Sequence, residues 1–355
     1  MNLGTLWWER TPNANRFIRD ILKALYMGKS VIINFPENIP WKEEFIDAVE
    51  DGIYKYGDEK TLDIHTRTMI KDVKDPGRYL FDNYCDPKEK KNYWTTESYE
   101  SFLANSSVSI INTKYIILDV IKCPSPGKWI KSIYKYNESI GEENEHGVFI
   151  LFNKGGHIEE TNNNLVHTFN YEKYISEYDC LMLCLTIAAD LDCPPKIKQY
   201  LAEFATIITN GNYELAGKLC ERGMPLILSP YKVVQDVYIE NMISYTELSK
   251  KVNSALWEAQ IKIVFPIIEA YRKYYADKYK DNISQSLPFK DSITRQIIYN
   301  VSELEIGHLF YISEKGRFAD HKDYKRLQML KDARNDSSHW NVIEYERLKS
   351  IVEYT

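Results

Sequence analysis

Two stretches, Lys114 to Ile121 (KYIILDVI) and Gly147 to Asn153 (GVFILFN), are apolar at nearly every position. A strand with one wet face alternates apolar and polar residues. A run with no polar face must instead be covered on both sides, which is the position of a strand inside a parallel sheet clad in helices. Val31 to Phe35 (VIINF) is a further short apolar strand, Thr61 to Arg67 (TLDIHTR) a plausible second, and LVHTFNY, residues 165–171, a fifth. Helical segments fall between them. Thr11-Pro12 places an N-cap and a first-turn proline before a segment whose Phe17, Ile21, Leu22 and Leu25 share one face, with Gly28 as its stop. PWKEEFIDAVEDGIYKY follows the first strand as a helix ended by Gly57, and PGKWIKSIYKYNESI separates the two apolar runs. From Glu177 the pattern is helical only. The expectation is an α/β fold with a parallel sheet over residues 1–176, a helical lid or linker over 177–244 and an all-α bundle over 245–355. That agrees with the two or three domains that 355 residues suggest.

Composition narrows the classes of function. Lys plus Arg number 45 against 51 Asp plus Glu, and the net charge of −6 argues against coating nucleic acid or membrane by bulk charge. Any nucleic-acid contact must be local. No apolar run approaches the roughly 20 residues of a membrane-spanning helix, and the start, MNLGTLWWERTPNANRFI, lacks the basic-then-apolar pattern of a secretory signal. The six cysteines, Cys85, Cys123, Cys180, Cys184, Cys193 and Cys220, form no C-x-x-C pair and read as reduced thiols of a cytoplasmic protein.

Strand VIINF with its loop and helix, then IILD ending at Asp119, then FILFN ending at Asn153, resembles the order of parts in the P-loop NTPase core of the AAA and STAND type. The resemblance implies that VIINF leads into the phosphate loop, that Asp119 ends the Walker B strand and that Asn153 is the polar tip of the sensor strand. A working phosphate loop reads G-x-x-x-x-G-K-[ST], so that backbone N–H groups wrap the phosphates. Here the loop is P-E-N-I-P-W-K-E. Pro36 and Trp41 stand at the glycine places, Lys42 at the lysine place and Glu43 at the hydroxyl place. Proline has no N–H, tryptophan does not readily take a glycine geometry, and a carboxylate would face phosphate charge. The expectation is a degenerate, non-hydrolysing NTPase-like domain with no cofactor, used for regulation or assembly. A ligand role for the carboxyl edge of the sheet stays open. Gly28-Lys29-Ser30 precedes the strand and reads as a helix stop followed by a strand start.

Near the end of the chain, in a helical context, stands KDARNDSSHWNVIEYERLKSIVEY. Arg334, four intervening residues and His339, with Asn335 directly after the arginine, resembles the catalytic motif of HEPN-superfamily ribonucleases. The resemblance covers roughly residues 245–355, a small bundle opened by a long helix. That helix carries Glu258 and Lys262 in W-E-A-Q-I-K, a spacing similar to the second motif of several HEPN toxins, although Ile263 stands where that motif has arginine. The resemblance implies a metal-independent endoribonuclease, of the kind found in bacterial antiviral defence or toxin-type systems, with Arg334, His339, Asn335 and Glu258 in the catalytic site. Lys262 and Lys331, beside the two motifs, are candidate RNA contacts.

RNA carries its own nucleophile, the 2′-OH, so cleavage needs a proton-transfer group near neutral pKa and positive charge at the phosphorane. His339 suits the first task and Arg334 the second, and no compact His/Asp/Glu metal-ligand cluster is visible. Helical positions five apart point about 140° apart, so one motif does not set both side chains on one face. HEPN ribonucleases meet this by dimerising, which implies a homodimer through the C-terminal bundle. Glu258 either orients this pair or only pairs with Lys262 along its own helix; the alternative for the motif is that Arg334 is an ordinary surface arginine near Asp332 and Asp336 while His339-Trp340 caps a helix against the core. The aromatic face of Trp257, Phe265, Tyr271 and Tyr275 reads as core or dimer seam, and Pro266 should bend the helix. Trp7-Trp8 is either an exposed anchor for a protein partner or docks on its own sheet. His65, His146, His157, His167, His308 and His321 show no metal-like spacing and read as loop or satisfied core residues. A non-enzymatic assembly or sensor subunit, and a ribonuclease gated by a nucleotide second messenger, are the competing functions.

Overall fold

The computed structural model describes residues 2–36, 39–55, 60–141, 144–155, 164–291 and 294–353. The chain divides into two compact units, Met1–Asp179 and Cys180–Thr355.

The first unit is built on a five-stranded, wholly parallel sheet in the order β2-β3-β4-β1-β5. Its strands are β1 (Ser30–Phe35), β2 (Thr61–His65), β3 (Lys114–Asp119), β4 (Val148–Lys154) and β5 (Val166–Asn170). The two fully apolar runs, β3 and β4, are adjacent near the middle of the sheet, buried on both faces as their lack of alternation requires. One face packs under α1 (Pro12–Tyr26) and α2 (Lys42–Lys55), where Phe17, Phe35, Phe45 and Phe152 meet edge to face or tilted, with centroids 5.4–6.4 Å apart. The opposite face carries Ile32, Ile116, Leu118, Phe149 and Leu151. These pack with α3 (Pro76–Tyr84), α4 (Tyr99–Asn105) and α5 (Pro126–Glu138), the last through Trp129, Ile133 and Tyr136. Gly28 ends α1 at φ +71° and Ser30 opens β1, so the Gly-Lys-Ser triplet is a stop and a start. The stop expected at Gly57 lies outside the described residues.

Trp7 and Trp8 are 0% and 1% exposed. They ride on a helical turn over residues 3–10, and Trp8 packs between Phe45, at 4.8 Å, and Tyr171, at 6.2 Å. This corrects the expectation of an exposed anchor: two indoles are too costly to leave in water, and the amino-terminal turn folds them against the aromatic face of its own sheet.

The second unit comprises α6 (Glu177–Ala188, which spans the division), α7 (Pro195–Ile208), α8 (Tyr213–Glu221), α9 (Pro230–Glu240), α10 (Leu248–Lys278), α11 (Ile306–Gly316), α12 (His321–Ser338) and α13 (Tyr345–Glu353). The long α10 runs through Pro266 and packs against α7, α9, α11, α12 and α13. One apolar core joins residues of 180–244 to those of 245–352, so the expected boundary at 244 does not separate compact units. The aromatic face of α10 divides: Tyr275 is buried, Trp257 and Tyr271 are half-buried, and Phe265 is 46% exposed. A short antiparallel pair, β6 (Phe289–Lys290) with β7 (Ile297–Ile298), interrupts the helices and was not expected, because two-residue strands leave no periodic signal. Among the described residues no helix is long and apolar enough to cross a membrane, and all six cysteines are free, five of them buried.

At the edge of the sheet, buried His65 has both ring nitrogens engaged, Nδ1 with the Tyr79 hydroxyl at 2.8 Å and Nε2 with the Tyr84 hydroxyl at 2.5 Å. Burial holds its pKa below the usual 6.5, against the opposing pull of Asp63. The folded form therefore favours the neutral ring, and its contribution is complete above about pH 6.5 and declines as pH falls below that value. A His65→Gln variant is expected to lose part of the decline in melting temperature between pH 7 and 5; a slope identical to wild type would remove His65 as its source.

Candidate functional site

Among the described residues, two places gather the side chains to which the sequence points. The first is the carboxyl edge of the sheet, where β3, β4 and β1 lie side by side. The chain leaves β1 toward β2 and leaves β4 toward β5, in opposite directions, which makes the β4/β1 boundary a topological switch point. Register sets Asn34 opposite both Asn153 and Asn170. Asn153 Nδ2 donates to Asn34 Oδ1 at 2.8 Å, and Asn34 Nδ2 donates to Asn170 Oδ1 at 2.8 Å, forming one row across three strands. On β3, Asp119 accepts from Lys42 Nζ at 2.5 Å through Oδ2 and from the Ile121 N–H at 3.2 Å through Oδ1. The residue at the lysine place of the loop and the acid at the end of the third strand thus neutralise each other, and both carboxylate oxygens are engaged.

Trp41 takes a left-handed backbone, φ +42°, which the sequence reading did not expect of a bulky residue at a glycine place. That conformation costs roughly 1–2 kcal/mol outside glycine. Here the turn is braced from outside, because the Trp8 indole N–H donates to the carbonyls of Pro40 and Trp41 at 3.1 and 3.2 Å, and the Trp7 ring lies 6.0 Å from that of Trp41. The close approach also shows at Gly4, where a Cβ would fall 2.7 Å from the Trp41 Cβ.

The second place is the end of α12. Leu327, Leu330, Ala333 and Ser337 bury one stripe of that helix, which leaves Lys331, Arg334 and Asn335, spaced i, i+3, i+4, on a shared outer face. These three line a cleft of about 390 Å³ together with residues of the β6–β7 segment and the first turn of α11. Arg334 Nη2 donates to Glu305 Oε2 at 2.6 Å, and Lys331 Nζ lies 4.5 Å from the centre of the Phe310 ring. Asn335 is exposed.

His339 is the C-cap residue of α12; its N–H donates to the carbonyls of Asn335 and Asp336, and its ring is exposed. It is not part of the cleft wall. The helix closes with Trp340 at φ +62° and the Asn341 N–H donating to the Asp336 carbonyl at 3.0 Å, the six-to-one bond of a Schellman end with tryptophan in the usual glycine position. Two residues of α10 hold this turn. Trp257 donates its indole N–H to the Ser337 carbonyl at 2.8 Å and stacks on Trp340 with centroids 4.5 Å apart and planes 5° from parallel. Gln260, 3% exposed, donates to the Ile343 carbonyl and accepts from the Ile343 N–H, both at 2.7 Å.

The expected residues therefore separate. Lys331, Arg334 and Asn335 come together in the cleft, and His339 stands on the adjoining turn. Glu258 meets Lys262 along its own helix, at 3.7 Å, while Lys262 also meets Glu203 of α7 at 3.0 Å. The acid beside Arg334 is Glu305, not Glu258. Arg347, closer to the end of the chain, takes Asp336 at 2.5 Å. Of the remaining histidines, His65 and His146 are bonded in the first unit, His146 Nε2 to the Gly28 carbonyl at 2.9 Å; His157 lies outside the described residues. His308 belongs to the cleft, and with Glu305 and Gln260 it is a residue that sequence reasoning missed. The spacing of Glu305 and His308, i and i+3 at a helix start, was the one available signal, and it speaks of capping. Among the described residues no group of three His, Cys, Asp or Glu side chains converges to hold a metal ion. No protein-family profile matches the chain, and neither a curated protein nor a solved structure is significantly similar to it.

Two substitutions probe the turn that carries His339. Gln260→Leu leaves the Ile343 N–H and carbonyl without their partner and is expected to cost about 2–3 kcal/mol in denaturant unfolding. Trp340→Gly exchanges a stack worth about 1 kcal/mol for relief of the left-handed backbone, about 1–2 kcal/mol, so its stability should stay within about 1 kcal/mol of wild type. A loss as large as that of Gln260→Leu would show that the stack, not the backbone, dominates.

Proposed function

We propose that the helical unit is a metal-independent endoribonuclease of HEPN type, with Arg334 supplying charge and His339 proton transfer, and that the sheet unit regulates it without hydrolysing nucleotide. The observation that carries this reading is the presentation of the R-N-x-x-x-H motif. The arginine opens into a cleft and the imidazole is exposed, yet the segment from Ser337 to Ile343 that carries the imidazole is held by an indole bond at Ser337, a ring stack on Trp340 and a buried double hydrogen bond between Gln260 and Ile343. A solvent-facing histidine on so constrained a turn suits a group that must be placed against a substrate. The attacking 2′-OH would lose its proton to one imidazole as the 5′-oxygen leaves with a proton from a second, while guanidinium charge stabilises the phosphorane. Because Arg334 lies on α12 and His339 at its C-cap, five positions on, a spacing that an ideal helix turns by about 140°, a homodimer through this unit is the arrangement that brings a complementary pair to one phosphate. Asn335, between them, is suited to hold the strand.

The regulatory half of the reading is supported by the Lys42–Asp119 pair, which occupies the two groups that a P-loop NTPase directs at nucleotide and metal. The competing function, a non-enzymatic assembly or sensor subunit of a defence complex, draws support from the Arg334–Glu305 pair, since a guanidinium already matched to a carboxylate has a structural role open to it.

Cleavage of single-stranded RNA in EDTA is expected for wild type, with losses of about 10²–10⁴-fold in His339→Ala and about 10²–10³-fold in Arg334→Ala. Equal cleavage by all three proteins, or none by wild type at any concentration that supports a dimer, would favour the subunit reading. No release of phosphate from ATP is expected, and Lys42→Ala should leave RNA cleavage measurable.

A further inference from the structure

The charges of α12 run against its dipole. A helix favours acids in its first turns and cations in its last, yet α12 carries Lys322, Lys325 and Arg326 in its first two turns, has no basic residue in its last, and places Asp332 and Asp336 in its second half. Asp320 caps the helix by accepting the Asp323 N–H at 2.8 Å. The backbone end is thus provided for, and the lysines on its flank have no evident part in the fold.

Lys322, Lys325, Arg326 and Met329, spaced i, i+3, i+4, i+7, share one face and wall a shallow hollow of about 140 Å³. No carboxylate lines it among the described residues. Lys322 and Lys325 are exposed, and neither has an ion pair or side-chain hydrogen bond with a described residue. Arg326 is half-buried, its guanidinium 4.9 Å from the centre of the Tyr271 ring on α10, a contact that steadies it. The surrounding acids are engaged elsewhere. Asp323 is buried and takes Lys278 Nζ at 2.5 Å and the Tyr279 hydroxyl at 2.7 Å; Asp320 lies 3.9 Å from Lys278. Asp332 and Asp336, beyond Met329, pair with Lys331 and Arg347. No carboxylate stands three or four positions from Lys322 or Lys325. Residues 315–326 hold five Lys and Arg, at 315, 317, 322, 325 and 326, against Asp320 and Asp323, in a chain whose net charge is −6. This is a local cationic surface on an acidic protein.

We infer that this face of α12 holds the sugar-phosphate backbone of a single-stranded RNA, apart from the reacting phosphate. A row of cations at fixed helical spacing suits a linear polyanion better than one compact anion, and Met329 adds an apolar contact for a base. The inference rests on the reading of the helical unit as a ribonuclease and gives its substrate a second hold. Lys322 lies 12 residues before Arg334, about 18 Å of helix, so a long strand can meet both the motif and the row while a dinucleotide meets only the motif.

The test is a Lys322→Gln/Lys325→Gln double variant of the full-length protein. The probe is a 2′-O-methyl oligouridylate of about 20 nucleotides, single-stranded and lacking the attacking hydroxyl, titrated between about 0.05 and 0.2 M salt. Loss of two phosphate contacts should lower the slope of log K against log salt by about 1.4 and weaken binding about 10–30-fold near 0.1 M salt. Lys322→Arg/Lys325→Arg, which keeps both charges, should bind as wild type. Because cations leave the first turns, the glutamine pair should match or exceed the wild-type melting temperature; a fall would give the lysines a structural role and overturn the inference. Lys273→Gln/Lys280→Gln removes two exposed lysines elsewhere in the unit and should not alter binding. An equal loss there would reduce the effect to bulk charge and also overturn it. If wild type does not bind the probe, the inference fails and the face is left to an acidic protein segment. Charge-dependent binding by a protein that cleaves nothing would uphold the surface and remove the nuclease reading. Cleavage of long RNA with wild-type KM in the glutamine pair would overturn the surface and leave the roles of Arg334 and His339 standing.

Discussion

A single buried amide ties the catalytic candidate to the rest of its unit. Gln260 pairs with Ile343 as one backbone segment pairs with another, and it does so from the middle of the long α10, where the amide is 3% exposed and an unpaired polar group would be costly. Everything from Ser337 to the start of α13 is thereby referred to α10. Trp257, one turn earlier on that helix, takes the Ser337 carbonyl and the Trp340 ring, so the turn is held at both ends. His339 can be exposed and still be placed.

The sheet unit shows the opposite use of similar materials. Lys42 and Asp119 close on each other, the asparagine row binds three strand ends, and Trp7, Trp8 and Trp41 brace the loop that follows β1. The lysine, the carboxylate and the amides at this edge are engaged with one another. The Trp41 backbone is the telling detail: the loop takes a left-handed turn at the place of a glycine, and an indole from the amino-terminal turn supplies the bonds that make it tolerable.

The fold was legible wherever apolar periodicity was strong. The both-face apolar runs gave β3 and β4, the Thr11-Pro12 start and Gly28 stop gave α1, and the shift at Glu177 fell three residues before the second unit begins. The two-residue strands of β6 and β7 left no period to detect, and the break between α6 to α9 and the rest was inferred where one core is shared. The sequence named Arg334, Asn335 and Lys331 separately; their shared face follows from a spacing of three and four on α12. Contacts between residues far apart in sequence were not legible: Glu305 lies 29 positions from Arg334, Ile343 lies 83 from Gln260, and nothing in a linear pattern announces either. The buried tryptophans were misjudged for the same reason, since their covering surface comes from residues as distant as Tyr171.

The asparagine row has a mechanical meaning. Asn34 spends its amide in both directions, giving through nitrogen to one neighbour and receiving through oxygen from the other. The ends of β4, β1 and β5 are therefore linked like rungs on a shared rail, and a push on the last strand travels to the fourth without passing through the backbone ladder. A displacement at one rim of the sheet would be felt two strands away.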